Sequence, residues 1–278
     1  MALKELTPTS NAETKLLIAQ RKFGWEKPWN LIKHNKDLLR SRGLPLVVEL
    51  GHAPLPTEFG DWTYFIFGDY TDGSHHDLLI FGNFENGSLG NGQKVLVRMQ
   101  SGCRSNEVYH AVNCECRKEL QWAMRLISKE GRGAIIYLEQ EGRGTGILGK
   151  IHQLNKMFRW DEKKMKILQN RDQKTGKRID TVRAYRDAGL PSEARDFDVA
   201  GEMLKHVGIK SIRLLTNNPA KIQGIESTGI QVEPVEIHIS PDNEIIASDL
   251  RSKRENLGHH IGKKHLKIKN KGICDLCE

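Results

Sequence analysis

Cys103, Cys114 and Cys116, three of the five cysteines in the chain, fall in a C-x10-C-x-C pattern, and a helical period begins directly after them. Thiolates are soft zinc ligands, and three of them converge on one ion if the ten residues between the first two form a loop. A tetrahedral zinc held by three side chains keeps its fourth position for water, which then ionises near neutral pH. The same spacing also fits a closed structural site completed by His110 or by a distant residue. Cys274 and Cys277 make a C-x2-C pair near the end of the sequence, with His259, His260 and His265 as conceivable partners for a second zinc.

Other segments carry anion and proton chemistry. In "EQEGRGTG", Glu141 and Arg143 sit on a glycine-rich turn between a strand and a helix. Backbone N–H groups there approach a ligand closely, the helix start favours anions, and Arg143 adds a planar fork of donors. A simple chain reversal is the alternative. "LPSEARDF" puts Glu193 two residues before Arg195, just ahead of a helix. That pair reads either as an arginine with a base or as an acid holding its arginine in place. "LLTNNPAK" ends a strand with Thr216 and supplies Lys221 at a helix start, the edge where α/β folds bind ligands, although a plain turn looks the same.

Composition limits what these groups can serve. At 278 residues the chain buries a sizeable core without disulfide staples. The longest apolar runs, "LLIF" and "AIIYL", are far shorter than a membrane span, and "MALKELTPTSNAETK" lacks the apolar core of a secretory signal. A cytoplasmic location without membrane contact is therefore expected. Reduced thiols there bind metal or react instead of cross-linking. With 43 Lys plus Arg against 35 Asp plus Glu, the net charge of +8 favours anionic partners. The basic residues are spread out apart from two short runs, so a small phosphorylated molecule is expected in preference to nucleic acid.

The elements that must position these groups follow from periodicity. Residues 1–45 read as a polar helical extension, with stripes in "TKLLIAQRKFGW" and "NLIKHNKDLL". From residue 46 the short strands "LVVEL", "DWTYFIFGDY", "HHDLLIFGNF" and "KVLVRMQ" predict an antiparallel meander. Leu120, Ala123, Met124 and Ile127 then mark a helix, "AIIYLEQ" a buried strand, and Ile147, Leu148, Ile151 and Leu154 a second helix. The charged stretch 155–180 shows no clear period and is read as a surface insertion or lid, with disorder as the alternative. Phe197, Ala200, Met203, Leu204 and Val207 give another helix, followed by the strands "SIRLLT" and "IQVEPVEI". The expected fold is mixed α/β (α+β), layered, with a β-rich N-terminal half. Residues 46–240 would form the catalytic domain and 241–278 a basic tail.

The segments "VRMQSGC", "CEC", "YLEQEGRGTG", "DTVRAY", "LPSEARDF" and "RLLTNNPAK", in this order, resemble GTP cyclohydrolase II. The likeness covers residues 95–237 and "NLGHHI" further on. It implies a layered fold of that family and a homodimer that opens the imidazole ring of GTP at C8, releases formate and cleaves off pyrophosphate. It further implies one zinc on Cys103, Cys114 and Cys116, and Mg2+ with the phosphates. The resemblance makes Glu193 and Arg195 catalytic: Arg195 corresponds to the arginine proposed to attack the α-phosphate, and Glu193 lies at the position of a proton-accepting aspartate. Arg98, Ser101, Glu119, Glu141, Arg143, Thr181, Thr216 and Lys221 fall at nucleotide-binding positions.

Three departures bear on specificity. Gly102 stands where the family has a carboxylate, and Glu119 where it has a glutamine. Leu154 replaces a tyrosine near the reaction centre, and leucine has no proton to donate. The ring could then open without the formyl group being released. Two other readings stay open: a ring-opening hydrolase for another purine or pyrimidine nucleotide, and a zinc-holding nucleotide regulator without turnover.

Overall fold

The computed structural model describes residues 28–268, which form two compact units. The larger comprises Asn35–Glu139 and the chain from Asp196 onward; the smaller includes Gln140–Arg195. The stripe "TKLLIAQRKFGW" and the pair Cys274 and Cys277 lie outside the described residues.

A seven-stranded sheet organises the larger unit. Strands β1 (Val47–Thr57), β2 (Gly60–Asp69) and β3 (His75–Phe81) form the meander, and β7 (Gly133–Leu138) continues it antiparallel to β3. β6 (Val95–Ser101), β10 (Ser211–Leu215) and β11 (Gln231–Val235) follow in parallel, giving the order β1-β2-β3-β7-β6-β10-β11. Two-residue strands β4 (Phe84–Glu85) and β5 (Ser88–Leu89) close a small hairpin.

The segment "KVLVRMQ" corrects the expected meander. It forms β6, between β7 and β10 and parallel to both. A central parallel strand is covered on both faces and reads as a continuous apolar run, so the sequence cannot reveal its neighbours. Period-two alternation nevertheless divides its side chains: Val95, Val97 and Met99 enter one core, and Leu96 enters the other. Arg98 and Gln100 therefore share the face of Leu96, beneath the helix that follows the cysteines.

That helix, α3 (Cys116–Glu130), buries Ala123 and Ile127 against Trp62, Leu96 and Ile135. Gly131 ends it in the left-handed conformation, where a residue without Cβ meets no steric penalty. On the opposite face α6 (Asp198–His206) and α7 (Pro219–Glu226) pack through Ala200, Met203, Leu204 and Ile225. Helix α1 (Pro28–Ser41) contains the stripe "NLIKHNKDLL"; its buried Lys36 pairs with Asp196 and Asp198. Helix α8 (Glu244–Leu257) is capped by Asn243 and packs Ile246 and Leu250 against Ile261 and Leu266.

In the smaller unit a 3-10 turn at Glu141–Gly144 leads into α4 (Gly146–Met157), which packs on α5 (Thr181–Asp187). Tyr185, Ala188 and Leu190 make its local core. The 155–180 stretch is ordered into a hairpin, β8 (Phe158–Asp161) with β9 (Lys166–Gln169), and a turn closed by an Arg171↔Arg178 bridge. The observed architecture is the mixed α/β fold expected.

Candidate functional site

The chain leaves β6 at Ser101 and enters Gly102, Cys103 and the one-turn helix α2 (Arg104–Glu107), then loops to Cys114 and into α3 at Cys116. The Sγ atoms of Cys103 and Cys114 are 3.7 Å apart, and all three sulfurs lie within 4.8 Å of one another. A tetrahedral ion with bonds of about 2.3 Å to sulfur holds its sulfurs about 3.8 Å apart. The cysteines form no disulfide, their sulfurs lying far beyond the roughly 2.05 Å of an S–S bond, so the donor set fits one zinc ion. Among the described residues no histidine or carboxylate joins the three sulfurs; His110 is not part of the cluster.

Several side chains that sequence reasoning missed hold this loop. The buried Asn106 amide donates to the carbonyls of Ala111 (2.5 Å) and Cys114 (3.1 Å) and accepts from the Arg117 N–H (2.6 Å). Glu107 accepts the Cys103 N–H at 3.1 Å, the Gln100 amide at 2.7 Å and the Tyr137 hydroxyl at 2.7 Å. Gln100 also donates to the Cys116 carbonyl at 3.1 Å. Between the two later cysteines, Glu115 accepts from Lys253 of α8 at 2.8 Å, and Lys253 also meets Asp249 at 2.9 Å.

Gly102 is crowded from one side. A Cβ on residue 102 would lie 3.0 Å from the Tyr137 hydroxyl and 3.2 Å from its ring. Tyr137 thus fills space that a longer side chain at this position would need.

Arg98 lies buried beneath α3. Its Nε and Nη2 donate to Gln100, its Nη1 to the Leu215 carbonyl at 3.1 Å, and Nη2 to Glu119 at 2.5 Å. Burial pushes the Glu119 carboxyl up, but the charges of Arg98, Lys253 and Lys221 outweigh it and leave the group below its usual range. Lys221 is buried and donates to the Met99 carbonyl at 2.7 Å. Thr216, also buried, takes the Asn218 N–H on its hydroxyl at 3.1 Å.

In the smaller unit Gly142, Arg143, Gly144 and Gly146 all have positive φ. At Gly144 a Cβ would come within 2.6 Å of the Ala194 backbone, so glycine is required by close approach as well as by conformation. The Arg143 fork donates to the Thr181 hydroxyl at 2.6 Å and the Ser192 carbonyl at 3.2 Å, while its own carbonyl accepts the Ala194 N–H at 3.0 Å. Glu141 caps the Gly142 N–H at 3.0 Å. These contacts bring Glu141, Arg143, Thr181, Glu193 and Arg195 into one neighbourhood.

Glu193 takes Arg195 on both oxygens, the Nε at 2.7 Å and Nη2 on the other, and accepts the Arg195 N–H at 3.1 Å. Burial raises the Glu193 carboxyl, and Arg195 with Arg143 brings it below its usual value. A carboxylate so bound is ionised and orients a guanidinium. Leu154 is half-buried on α4, its carbonyl accepting the N–H of Phe158.

Among the described residues no helix is long and apolar enough to cross a membrane. The sequence model of the family described as GTP cyclohydrolase II matches residues 49–236. GTP cyclohydrolase-2 of Azotobacter vinelandii is 35% identical over 222 residues, covering 79% of this chain and 94% of that one. GTP cyclohydrolase-2 of Neisseria meningitidis serogroup C is 37% identical over 206 residues, 74% of this chain and 92% of that one. The riboflavin biosynthesis protein RibBA of Endomicrobium trichonymphae is 34% identical over 227 residues, 81% of this chain and 50% of that one. The chain therefore spans about half the length of the RibBA relatives it matches.

Proposed function

The chain belongs to the GTP cyclohydrolase II family, and on that premise we propose that it hydrolyses the imidazole ring of GTP and releases pyrophosphate. The observation that carries the reading is the triad of Cys103, Cys114 and Cys116, whose sulfur spacing suits one tetrahedral zinc with a position to spare. When bound, zinc supplies Lewis acidity that activates water at neutral pH.

The chain's own residues orient and neutralise the substrate in this account. Arg195, locked by Glu193, presents a fixed guanidinium to the α-phosphate, and Arg143 with Thr181 contributes donors for phosphate oxygens. Arg98, Ser101, Glu119, Glu141, Thr216 and Lys221 complete the nucleotide contacts. Mg2+ accompanies the phosphates, and the protein works as a homodimer in the cytoplasm; the RibBA relatives are named for riboflavin biosynthesis, a route that a formylated product would join only after a separate deformylation.

Ring opening needs one water addition and deformylation a second; Leu154 offers no hydrogen-bond donor, which leaves the first intact and slows the second. We assign the chain a formylated, ring-opened pyrimidine as its product. Incubating the zinc-loaded protein with GTP tests both levels. A shift of the nucleotide's ultraviolet absorbance supports ring opening, and less than stoichiometric formate supports retention of the formyl group. Binding without any spectral change would instead mark a regulator.

A further inference from the structure

The insertion that separates α4 from α5 carries a groove of about 1110 Å³. Six cationic side chains line it, Lys156, Arg159, Arg171, Lys174, Arg178 and Arg183, against two carboxylates, Asp172 and Asp187. None of the residues proposed to bind GTP is among its walls.

The charges are not arranged as a solvated surface would arrange them. Arg171 and Arg178 face each other across an antiparallel bridge, which puts their side chains on one face. Like charges directly opposite on neighbouring strands destabilise the pair. The acids do not relieve them: Arg183 engages both, Asp172 at 2.6 Å and Asp187 at 3.2 Å. Asp172 is further held by the Thr175 N–H at 2.5 Å. Arg171 and Arg178 are steadied by neutral oxygens, Gly176 O at 2.8 Å and Gln169 Oε1 at 2.9 Å. Among the described residues Lys156, Arg159 and Lys174 have no ion-pair partner.

We propose that this groove is a second anion site that takes a chain of two or more phosphates, bridging Arg171 and Arg178 with Arg159, Lys156 and Lys174 around it. Oligophosphate matches the chemistry because each guanidinium presents paired donors and each phosphoryl group presents paired acceptors. A single orthophosphate offers fewer acceptor oxygens to these cations than an oligophosphate does. No aromatic ring lines the groove, so it has no platform on which to stack a base. The site therefore recognises the phosphate chain whether free or at the end of a nucleotide.

The test is calorimetric titration of inorganic tripolyphosphate into the full zinc-loaded chain near physiological salt, with zinc per chain measured before and after. The wild type should show a binding event that the Arg171→Gln/Arg178→Gln double variant weakens at least about tenfold. Lys163→Gln/Lys164→Gln removes the same charge from the exposed hairpin turn and should leave that event unchanged. Orthophosphate should bind at least about tenfold more weakly than tripolyphosphate. ATP and CTP should bind as tripolyphosphate does, because the base is not read. Tripolyphosphate should also raise the melting temperature of the wild type and of the lysine pair, and that of the arginine double variant less so, which reports folding of the variants alongside binding. Equal affinity in the arginine double variant would overturn the proposal, as would equal loss in the lysine pair, or no binding at all. Since GTP ring opening is read separately by absorbance, either proposal can fail without the other.

Discussion

Lys253 of α8 donates to Glu115 at 2.8 Å, joining a helix near the end of the described chain to the residue between two clustered cysteines. The same ammonium meets Asp249 at 2.9 Å, and both acids are almost fully buried. Removing one member of a buried pair strands the others without a counter-charge. Lys253→Met should therefore cost about 3 kcal/mol of stability and lower the zinc content of the purified protein, whereas Lys253→Arg should recover part of both. Denaturant midpoints and metal per chain check this; an unchanged midpoint would mean the contact carries no weight.

Gly102 and Tyr137 make a second, steric coupling. Because a Cβ at 102 would meet the Tyr137 hydroxyl at 3.0 Å, Gly102→Glu should destabilise the protein by about 1–3 kcal/mol through overpacking. Adding Tyr137→Ala should relieve the strain, with a non-additive term of about 1 kcal/mol. Tyr137→Phe should not, since it keeps the ring carbons that lie 3.2 and 3.3 Å away. Additivity in the double-mutant cycle would contradict this packing.

How far these features were legible in the sequence depends on their range. The cysteines were legible because ligand type and spacing sit within fourteen residues. The helices were legible from local period, as with Leu120, Ala123, Met124 and Ile127. Lys253 was not, because its partner Glu115 is 138 positions away and one lysine on a charged helix carries no signal. Tyr137 read as part of a buried strand, and only the parallel pairing of β6 with β7 brings it against Gly102 and Glu107. The hairpin at β8 and β9 was hidden because each strand is only four residues long: Phe158 and Trp160 alternate with Arg159 and Asp161 too briefly to show a period, and β9 puts Ile167 and Leu168 on opposite faces.

Acid should loosen the smaller unit through Glu193. Its carboxyl is pushed up by burial but brought below the usual 4.5 by Arg195 and Arg143. A depressed carboxyl contributes stability that is complete above the unfolded value and is lost as pH falls through the folded one. The wild type should accordingly lose stability below pH 4.5. Glu193→Gln should cost about 1.5–3 kcal/mol near neutral pH and progressively less in acid. Parallel pH profiles for the two proteins would remove Glu193 from the account.

Leu154→Tyr isolates the formyl question. Restoring a hydroxyl on α4 should raise the formate released per ring-opened GTP by about tenfold or more, within the range general acid catalysis supplies. The rate of the ultraviolet change should move much less. Formate yield equal to that of an already stoichiometric wild type would refute the role given to the leucine.

The most direct measurement pairs elemental analysis with GTP turnover in the wild type and in Cys114→Ser. The account predicts about one zinc per wild-type chain, a spectral change on adding GTP, and loss of both in the variant. Metal-free native protein that opens GTP at full rate would contradict it.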